Sequence, residues 1–194
     1  SPYGISKIVA EGIHREWQLK DPQKRRLVIV RPGIVFGKGE GGNFTRLYSM
    51  MKRGLFFYPG RKDTKKALIY VKDLVNLMLN MVKNESPGIH TYNAVNYPLH
   101  TIEEICEVIA KTTNIKKPKI KIPHNVMICG AHLINVFGKI INKPFSGVHP
   151  DRVRKLIIST NIDGQHLLKN GYDIQFPLEK AIEDWFSDCD FKTL

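Results

Sequence analysis

Short apolar runs that alternate with amphipathic helical segments constrain this fold more than any other feature. Residues 27–30 form a continuous apolar run, which is typical of a strand buried on both faces in a parallel sheet. Predicted strands lie at 27–30, 67–71, 89–94 and 119–122. Predicted helices lie at 6–19, 43–53, 73–82, 102–111, 125–141, 151–158, 163–169 and 178–186. Strands alternating with helices predict an α/β protein whose second half is more helical.

Local signals support several of these helices. Thr101 and Glu104 are predicted to form a capping box at a helix start, in which the side chain of each residue accepts a hydrogen bond from the backbone N–H of the other. Asn43 is predicted to be the N-cap of the helix at 43–53. In the helix at 73–82, four residues are predicted to share one apolar face: Leu74, Leu77, Met78 and Met81.

Composition describes a globular chain with an excess of positive charge. The 194 residues are 42% hydrophobic and carry 30 Lys and Arg against 18 Asp and Glu, a net charge of +12. This composition excludes a disordered tail or a fibre, and the charge favours phosphates, nucleotides or nucleic acid as partners. The three cysteines have no CxxC spacing, so we expect neither disulfides nor a metal site, and a cytoplasmic location.

Nothing in the sequence predicts membrane insertion. No secretion signal opens the chain, and residues 126–141 are too short and too interrupted by polar residues to cross a bilayer. We therefore expect no membrane partner.

Tyr3 and Lys7 are the strongest candidates for chemistry. They are four residues apart, so one helical turn places the phenol and the ammonium on the same face. A free tyrosine, with a pKa of about 10, is a poor base at neutral pH, and a fixed cation nearby stabilises its phenolate. Such a tyrosine can take a proton from a hydroxyl while hydride moves between a carbon and a nicotinamide.

Three blocks occur in a characteristic order. They are Ser-Pro-Tyr-Gly-Ile-Ser-Lys-Ile-Val-Ala-Glu from residue 1, Arg-Pro-Gly-Ile-Val-Phe-Gly from residue 31, and Ile-Tyr-Val-Lys-Asp-Leu-Val from residue 69. Together they resemble the extended short-chain dehydrogenase/reductase family, the NAD-dependent epimerases and dehydratases that modify sugar nucleotides. The resemblance implies the C-terminal part of a Rossmann-type doubly wound parallel sheet with a smaller, more helical substrate-binding region.

The resemblance also implies roles for individual residues. Tyr3 matches the catalytic base, and Lys7 matches the residue that holds the nicotinamide ribose. Three further residues are candidates for binding the cofactor: Arg31, Pro32 and Val35. The implied cofactor is NAD, with NADP as an alternative. The candidates for binding the substrate diphosphate are Asn43, Lys66 and Arg152. No metal ligand is implied.

The sequence departs from the family pattern in three ways. Ile34 stands where relatives often carry an asparagine that contacts phosphate, and Asn43 is the expected substitute. Gln165 stands where lysine is usual in the closing motif. The glycine-rich cofactor loop of the family would precede residue 1, so we expect the chain to be the C-terminal portion of a longer enzyme, inactive alone. Residues 1–37 would end the dinucleotide-binding domain, and residues 38–194 would be mostly substrate-binding, with 67–94 returning to the Rossmann sheet.

The resemblance implies a UDP-sugar 4-epimerase located in the cytoplasm. The complete enzyme is expected to form a homodimer and to bind a nucleotide sugar, with no nucleic acid partner. An NAD(P)H-dependent ketoreductase of the same family is the alternative. Two readings of another class stay open. Residues 37–42 match GxGxxG with Asp63 about twenty residues on, the pattern of a dinucleotide-binding loop. A lysine cluster at residues 116–121 is the feature that a basic nucleic-acid-binding module would use.

Overall fold

The computed structural model of the protein describes residues 2–123, 125–126 and 158–189. Its helices are α1 (Pro2–Leu19), α2 (Asn43–Lys52), α3 (Val71–Asn84), α4 (Ile102–Thr113), α5 (Gln165–Lys169) and α6 (Leu178–Asp188). Its strands are β1 (Arg26–Pro32), β2 (Ile34–Phe36), β3 (Tyr58–Pro59), β4 (Lys65–Lys66), β5 (Leu68–Tyr70), β6 (Gly88–Ala94), β7 (His100–Thr101) and β8 (Lys121–Ile122).

Parallel pairing dominates the strands. β1 pairs with β6 over its full length, from Arg26 opposite Gly88 to Pro32 opposite Ala94. β2 pairs in parallel with β5, and β3 with β8, whereas β4 and β7 are antiparallel. The predicted α/β class is confirmed. The division into residues 1–37 and 38–194 stays a prediction, although the β1–β6 pair is the contact that a return of residues 67–94 to the first sheet requires.

Gly33 marks the point at which the chain leaves one strand pair and joins the next. Its N–H donates to the Ala94 carbonyl, and the next N–H, of Ile34, donates to the Ala67 carbonyl. A Cβ on Gly33 would lie 2.6 Å from the Ala67 carbonyl oxygen. Since no side chain fits there, glycine is required by the close approach of two backbones.

The buried side chains form two cores. The first is rich in aromatic rings from β2, α2 and α6: Phe36 stacks on Phe44 with centroids 4.5 Å apart, and Trp185 meets both rings edge-on at 6.1 Å. Such aromatic pairs stabilise by about 0.5–1.5 kcal/mol each beyond their buried area. The second core lies between α3, β5, β6 and α5, and it is built from Ile69, Leu77, Met81, Tyr92, Ala94, Leu167 and Tyr172.

Asp73, in the first turn of α3, ties the segment before α6 to the rest of the fold. Its side chain is buried and accepts hydrogen bonds from the backbone N–H groups of Gln175 and Phe176, at 2.9 and 3.3 Å. Burial raises the pKa of Asp73, and the two backbone hydrogen bonds act in the opposite direction. The carboxylate therefore positions α6 at an electrostatic cost.

The structure corrects some of the local predictions. The N-cap of α2 is Gly42 and not Asn43, which is the first helical residue. Met78 does not share the buried face of α3, since 48% of its surface is exposed. The capping box of Thr101 and Glu104 is confirmed at the start of α4.

The predicted helices at 125–141 and 151–158 lie mostly outside the described residues. Of the described positions, 125 and 126 are helical and 158 is not. The predicted strand at 119–122 is shorter in the structure, where β8 covers only its last two residues. Within the described part of the chain, no helix is long and apolar enough to cross a membrane.

Candidate functional site

Helix α1 carries Tyr3 and Lys7 on the same side, as their spacing predicts. The Lys7 Nζ atom lies 5.4 Å from the centroid of the Tyr3 ring, over its face. Tyr3 is 72% exposed, and Lys7 is exposed as well. The structure therefore brings an ammonium and a phenol together at a surface that a ligand can reach.

The first helix leads back into β1 through a tight turn. Gln18, buried near the end of α1, donates to the carbonyls of Pro22 and Arg25 and so closes this turn. Because the chain reverses direction here, the N-terminus of α1 lies toward the carboxyl ends of β1 and β6. In open α/β sheets, ligands bind at this end of the strands.

Arg31, predicted to bind the cofactor, forms a bidentate ion pair with Glu11. Its Nε and Nη2 donate to the two carboxylate oxygens at 2.9 and 2.5 Å. The hydrogen bond from Arg31 holds the pKa of Glu11 below its usual value. This contact attaches α1, one turn after Lys7, to the end of β1.

Sequence reasoning missed the part played by Glu11, because its partner Arg31 lies twenty positions away in the chain. Glu11 follows Lys7 by four residues and therefore lies one turn along the helix from it. A second polar contact also joins α1 to the sheet: Arg15 Nη2 donates a hydrogen bond to the Thr91 hydroxyl of β6 at 3.3 Å. The polar side of α1 thus faces the sheet.

The apolar side of α1 is exposed as a consequence. Its large apolar side chains are between 45% and 72% exposed: Ile5, Ile8, Val9, Ile13 and Trp17. A face of this size, on a helix whose polar residues face the sheet, is typical of a surface that packs against another protein segment.

The other predicted cofactor residues lie after the end of β1. Pro32 is exposed at the last position of that strand. Val35 is partly buried in β2 and packs against the second core. Ile34 is partly buried against the first core, so its side chain fills space in the protein interior.

The predicted substrate residues lie on separate elements. Asn43 is exposed at the first position of α2. Lys66, on β4, is half-buried and donates from Nζ to the Ile158 carbonyl at 3.0 Å, and burial lowers the pKa of Lys66. Arg152 lies outside the described residues.

The glycine-rich segment at residues 37–42 does not form a phosphate-binding loop in this structure. The Glu40 carboxylate accepts hydrogen bonds from the Thr45 N–H at 3.0 Å and from the Thr45 hydroxyl at 2.8 Å. A carboxylate of the chain itself thus takes the place at the N-terminus of α2 that a phosphate would need. Asp63, the other element of that pattern, forms a bidentate ion pair with Arg61.

Part of the lysine cluster at 116–121 is neutralised within the fold. Lys117 lies 3.4 Å from a Glu103 carboxylate oxygen and 3.2 Å from one of Glu107. These ion pairs reduce the positive field that a nucleic-acid-binding surface requires. Among the described residues, no group of three or more His, Cys, Asp or Glu side chains is arranged to hold a metal ion.

Residues 1–94 match the model of the NAD dependent epimerase/dehydratase family. Over these residues the chain is similar to that family. The matched segment contains Tyr3, Lys7 and Arg31, together with β1, β2, β5 and β6. The family recognised from the three sequence blocks is therefore confirmed.

Two curated relatives extend the comparison. The N-acetyl-alpha-D-glucosaminyl-diphospho-ditrans,octacis-undecaprenol 4-epimerase of Escherichia coli O157:H7 is 28% identical over 181 residues, which cover 93% of this chain and 54% of the relative. GDP-6-deoxy-D-mannose reductase of Pseudomonas aeruginosa is 24% identical over 131 residues, 63% of this chain and 42% of the relative. The chain spans about half the length of the curated relatives it matches.

Solved structures support the fold. MoeE5 in complex with UDP-glucuronic acid and NAD superimposes with a TM-score of 0.62 at 16% identity, over 100% of this chain and 56% of that one. A human epimerase family protein crystallised with NADPH also superimposes with a TM-score of 0.62. Its sequence identity is 19%, and the match covers 84% of this chain and 49% of the human chain. At these identities the likeness establishes the shared Rossmann-type fold.

Proposed function

We propose that this chain is the substrate-side part of an NAD-dependent UDP-sugar 4-epimerase, with Tyr3 as its general base. The observation that supports the proposal most directly is the Lys7 ammonium 5.4 Å from the centre of the Tyr3 ring, on the helix that starts at the carboxyl end of the parallel strands. The family supplies the class of reaction, and the pair of side chains supplies a proton acceptor for it.

Tyr3 takes the proton from the C4 hydroxyl of the sugar and later returns it. Lys7 provides the positive charge that a developing phenolate needs, and its position on the next helical turn keeps that charge near the ring. Glu11 and Arg31 act as positioning residues, because their bidentate pair fixes the helix that carries Tyr3 and Lys7 to the end of β1. A correctly placed base contributes about 10²–10⁴-fold to such a rate.

The residues beside Tyr3 fit a nicotinamide cofactor. Tyr3, Lys7 and Pro32 are all exposed, so a cofactor can reach each of these residues. Lys7 would donate to the ribose hydroxyls, Pro32 and Val35 would lie beside the nicotinamide, and Arg31 keeps Nη1 as a further donor. When bound, NAD supplies acceptance and return of a hydride at the sugar carbon, so an epimerase consumes none of it; NADP is the alternative.

The substrate diphosphate is assigned to Asn43, Lys66 and Arg152. Asn43 offers an exposed carboxamide at the start of α2, and Lys66 offers an ammonium on β4. Charge-assisted hydrogen bonds from two cations are the expected means of holding a diphosphate. The roles of these three residues follow from the family resemblance and from the charge of the side chains.

The carrier of the sugar is the finer part of the proposal. The curated 4-epimerase from Escherichia coli O157:H7 is named for a sugar joined by a diphosphate to undecaprenol, whereas the solved neighbour MoeE5 binds UDP-glucuronic acid. Both are sugars on a diphosphate. We assign UDP as the carrier here, and the experiment below includes the lipid-linked sugar as a separate arm.

The complete enzyme is proposed to be a homodimer in the cytoplasm. The exposed apolar side of α1 supports pairing with a second copy. The two described cysteines, Cys106 and Cys189, are free thiols, which suits a reducing compartment. The cofactor phosphates are assigned to a glycine-rich segment of the complete enzyme, since the loop at 37–42 is closed by Glu40.

The test is product analysis with the complete enzyme that carries this chain. Purified protein is incubated with NAD and with UDP-glucose, UDP-glucuronic acid or UDP-N-acetylglucosamine, and the C4 epimer is identified by proton NMR. The proposal expects an epimer with no net change in NADH absorbance. A second reaction supplies NAD(P)H and a nucleotide-linked keto-sugar as substrate. Net consumption of NAD(P)H in that reaction would instead support the ketoreductase, the activity class of the Pseudomonas aeruginosa relative.

Two further outcomes would contradict parts of the proposal. Turnover of only the undecaprenyl diphosphate sugar would refute UDP as carrier and leave the 4-epimerase assignment intact. Salt-sensitive binding of duplex or single-stranded nucleic acid, with no turnover of any sugar, would favour the basic binding module.

A further inference from the structure

A polar cavity of about 350 Å³ lies at the opposite end of the sheet from Tyr3. It is lined by Asn80, Asn84, Glu85, Tyr92, Asn170, Gly171 and Tyr172. The C-terminal end of α3 and Tyr92 of β6 line it. Because the chain passes from the end of α3 to the start of β6, this end of α3 lies toward the amino ends of the parallel strands. The volume is at the lower end of ligand-binding pockets, which span about 300–1,000 Å³.

One wall of the cavity is a carboxylate held in a fixed orientation. The Glu85 side chain is 10% exposed, and its Oε1 accepts hydrogen bonds from the hydroxyls of Tyr92 and Tyr172, the latter at 2.8 Å. His90 Nδ1 lies 3.0 Å from the other oxygen, Oε2. Burial acts to raise the pKa of Glu85, but the tyrosine hydrogen bonds and the charges of His90 and Arg26 together lower this pKa below its usual value.

This wall presents hydrogen-bond acceptors to the cavity. Both tyrosine hydroxyls donate to Glu85, so their oxygens keep lone pairs for a ligand. Asn170 Nδ2 donates to the His166 carbonyl at 2.7 Å, which leaves its Oδ1 as an acceptor. A ligand that donates several hydrogen bonds would match these groups.

Two further lining residues, Asn80 and Asn84, present free carboxamides. Asn80 and Asn84 lie one helical turn apart on α3, both exposed. Their side chains make no hydrogen bond with any described residue. Each carboxamide offers two donors and an acceptor, so the lining of the cavity combines donors with acceptors.

Charge narrows the class of ligand further. An anion would meet the Glu85 carboxylate. A cation would gain little from that carboxylate, because two tyrosine hydroxyls and the His90 ring already surround it. The Arg26 guanidinium also donates to the backbone carbonyl of Glu85. The net charge of +12 also repels cations. A neutral molecule with several hydroxyl groups can both donate to the acceptors and accept from the carboxamide donors of this lining.

From these contacts we propose that the cavity is a second binding site, for a neutral polyhydroxylated ligand such as a single sugar ring. The site is separate from the proposed catalytic end of the sheet. Two aromatic rings, of Tyr92 and Tyr172, pack edge-on with centroids 5.4 Å apart and make the acceptor wall rigid. Such preorganisation reduces the entropy that binding must overcome.

The test is a titration of the isotope-labelled complete enzyme that carries this chain with D-glucose, followed by the backbone amide signals of residues 80–92 and 170–172. Saturable shifts at these amides with a Kd of about 1–10 mM are expected. Asn84→Ala should weaken binding about fivefold, equivalent to about 1 kcal/mol for one hydrogen bond. Lys83→Ala, on the same turn but outside the cavity, should bind like the wild type.

Three results would overturn the proposal. The first is the absence of saturable shifts with glucose. The second is stronger binding of arginine or phosphate at the same amides, which would refute a neutral ligand. The third is equal affinity in Asn84→Ala and Lys83→Ala. Asn80→Ala serves as a second exposed variant if Asn84→Ala perturbs the fold, and it should show the same loss of affinity.

Discussion

Replacing Asp73 by alanine should destabilise the protein substantially, because this side chain ties the segment before α6 to α3. The carboxylate is buried and accepts two backbone hydrogen bonds, from Gln175 and Phe176. Each backbone donor that loses its buried partner costs about 1–3 kcal/mol. We expect a loss of about 2–4 kcal/mol, which for a chain of this size lowers Tm by roughly 4–16 °C.

The pH dependence of this loss has a definite sign. Burial raises the pKa of Asp73 in the native state, whereas the unfolded value is about 3.9. Between these two values the native state binds more protons than the unfolded state, so the contribution of Asp73 to the free energy of unfolding falls as pH rises through that window. The difference between wild type and Asp73→Ala should therefore be larger at mildly acidic pH than at pH 7.

Urea unfolding at two pH values measures both effects. Asp173→Ala is the matched control, because Asp173 is exposed two residues before the same segment, and a surface change of this kind stays within about 0.5 kcal/mol. A loss for Asp73→Ala no larger than that of the control would refute the reasoning. So would a difference from wild type that shrinks as the pH falls.

Two further variants test the strand switch and the start of α2 by the same urea assay. Gly33→Ala should lower the free energy of unfolding by about 1–3 kcal/mol, since its Cβ would lie 2.6 Å from the Ala67 carbonyl oxygen. Gly12→Ala is the control, because Gly12 has open space around it on α1, and it should stabilise the protein by up to about 1 kcal/mol. Equal effects of the two substitutions would contradict the role given to Gly33. Glu40→Ala should lower the free energy of unfolding by about 1 kcal/mol, because the Thr45 N–H loses its acceptor. Amide hydrogen exchange in the first turn of α2 should become faster. Unchanged exchange there would show that Glu40 does not cap the helix.

The sequence predicts the element types well because their apolar periodicity is strong. The run at 27–30 lies inside β1, and the pattern after residue 101 is α4 with its capping box. Boundaries are less accurate where the deciding contact is distant in sequence. Helix α3 begins at Val71, two residues before the predicted start, since it follows directly from the end of β5.

Part of the candidate site also follows from local spacing. One helical turn separates Tyr3 from Lys7, so their contact could be predicted from the sequence alone. The bond between Arg31 and Glu11 could not, because it joins residues twenty positions apart. The capping of α2 by Glu40 was missed for a different reason: the glycines of 37–42 suggest a phosphate loop, and only the fold shows which side chain fills it.

Exposure of the apolar side of α1 is a feature that amphipathic patterning does not predict. The spacing of Ile13 and Trp17 on α1 would ordinarily indicate the buried face of a helix. In the structure, Arg15 and Gln18 face the sheet or the following turn, and the apolar residues point away from it. A periodic pattern identifies an apolar face but does not identify the segment that covers it.

The central claim is that Tyr3 is the base of a sugar-nucleotide 4-epimerase, and the kcat of Tyr3→Phe in the complete enzyme tests it most directly. Loss of the phenol should lower kcat by about 10²–10⁴-fold, with the Kd for UDP-sugar unchanged. Tyr97→Phe, which removes another exposed phenol, should keep the wild-type kcat. A Tyr3→Phe enzyme that turns over as fast as Tyr97→Phe would contradict the claim.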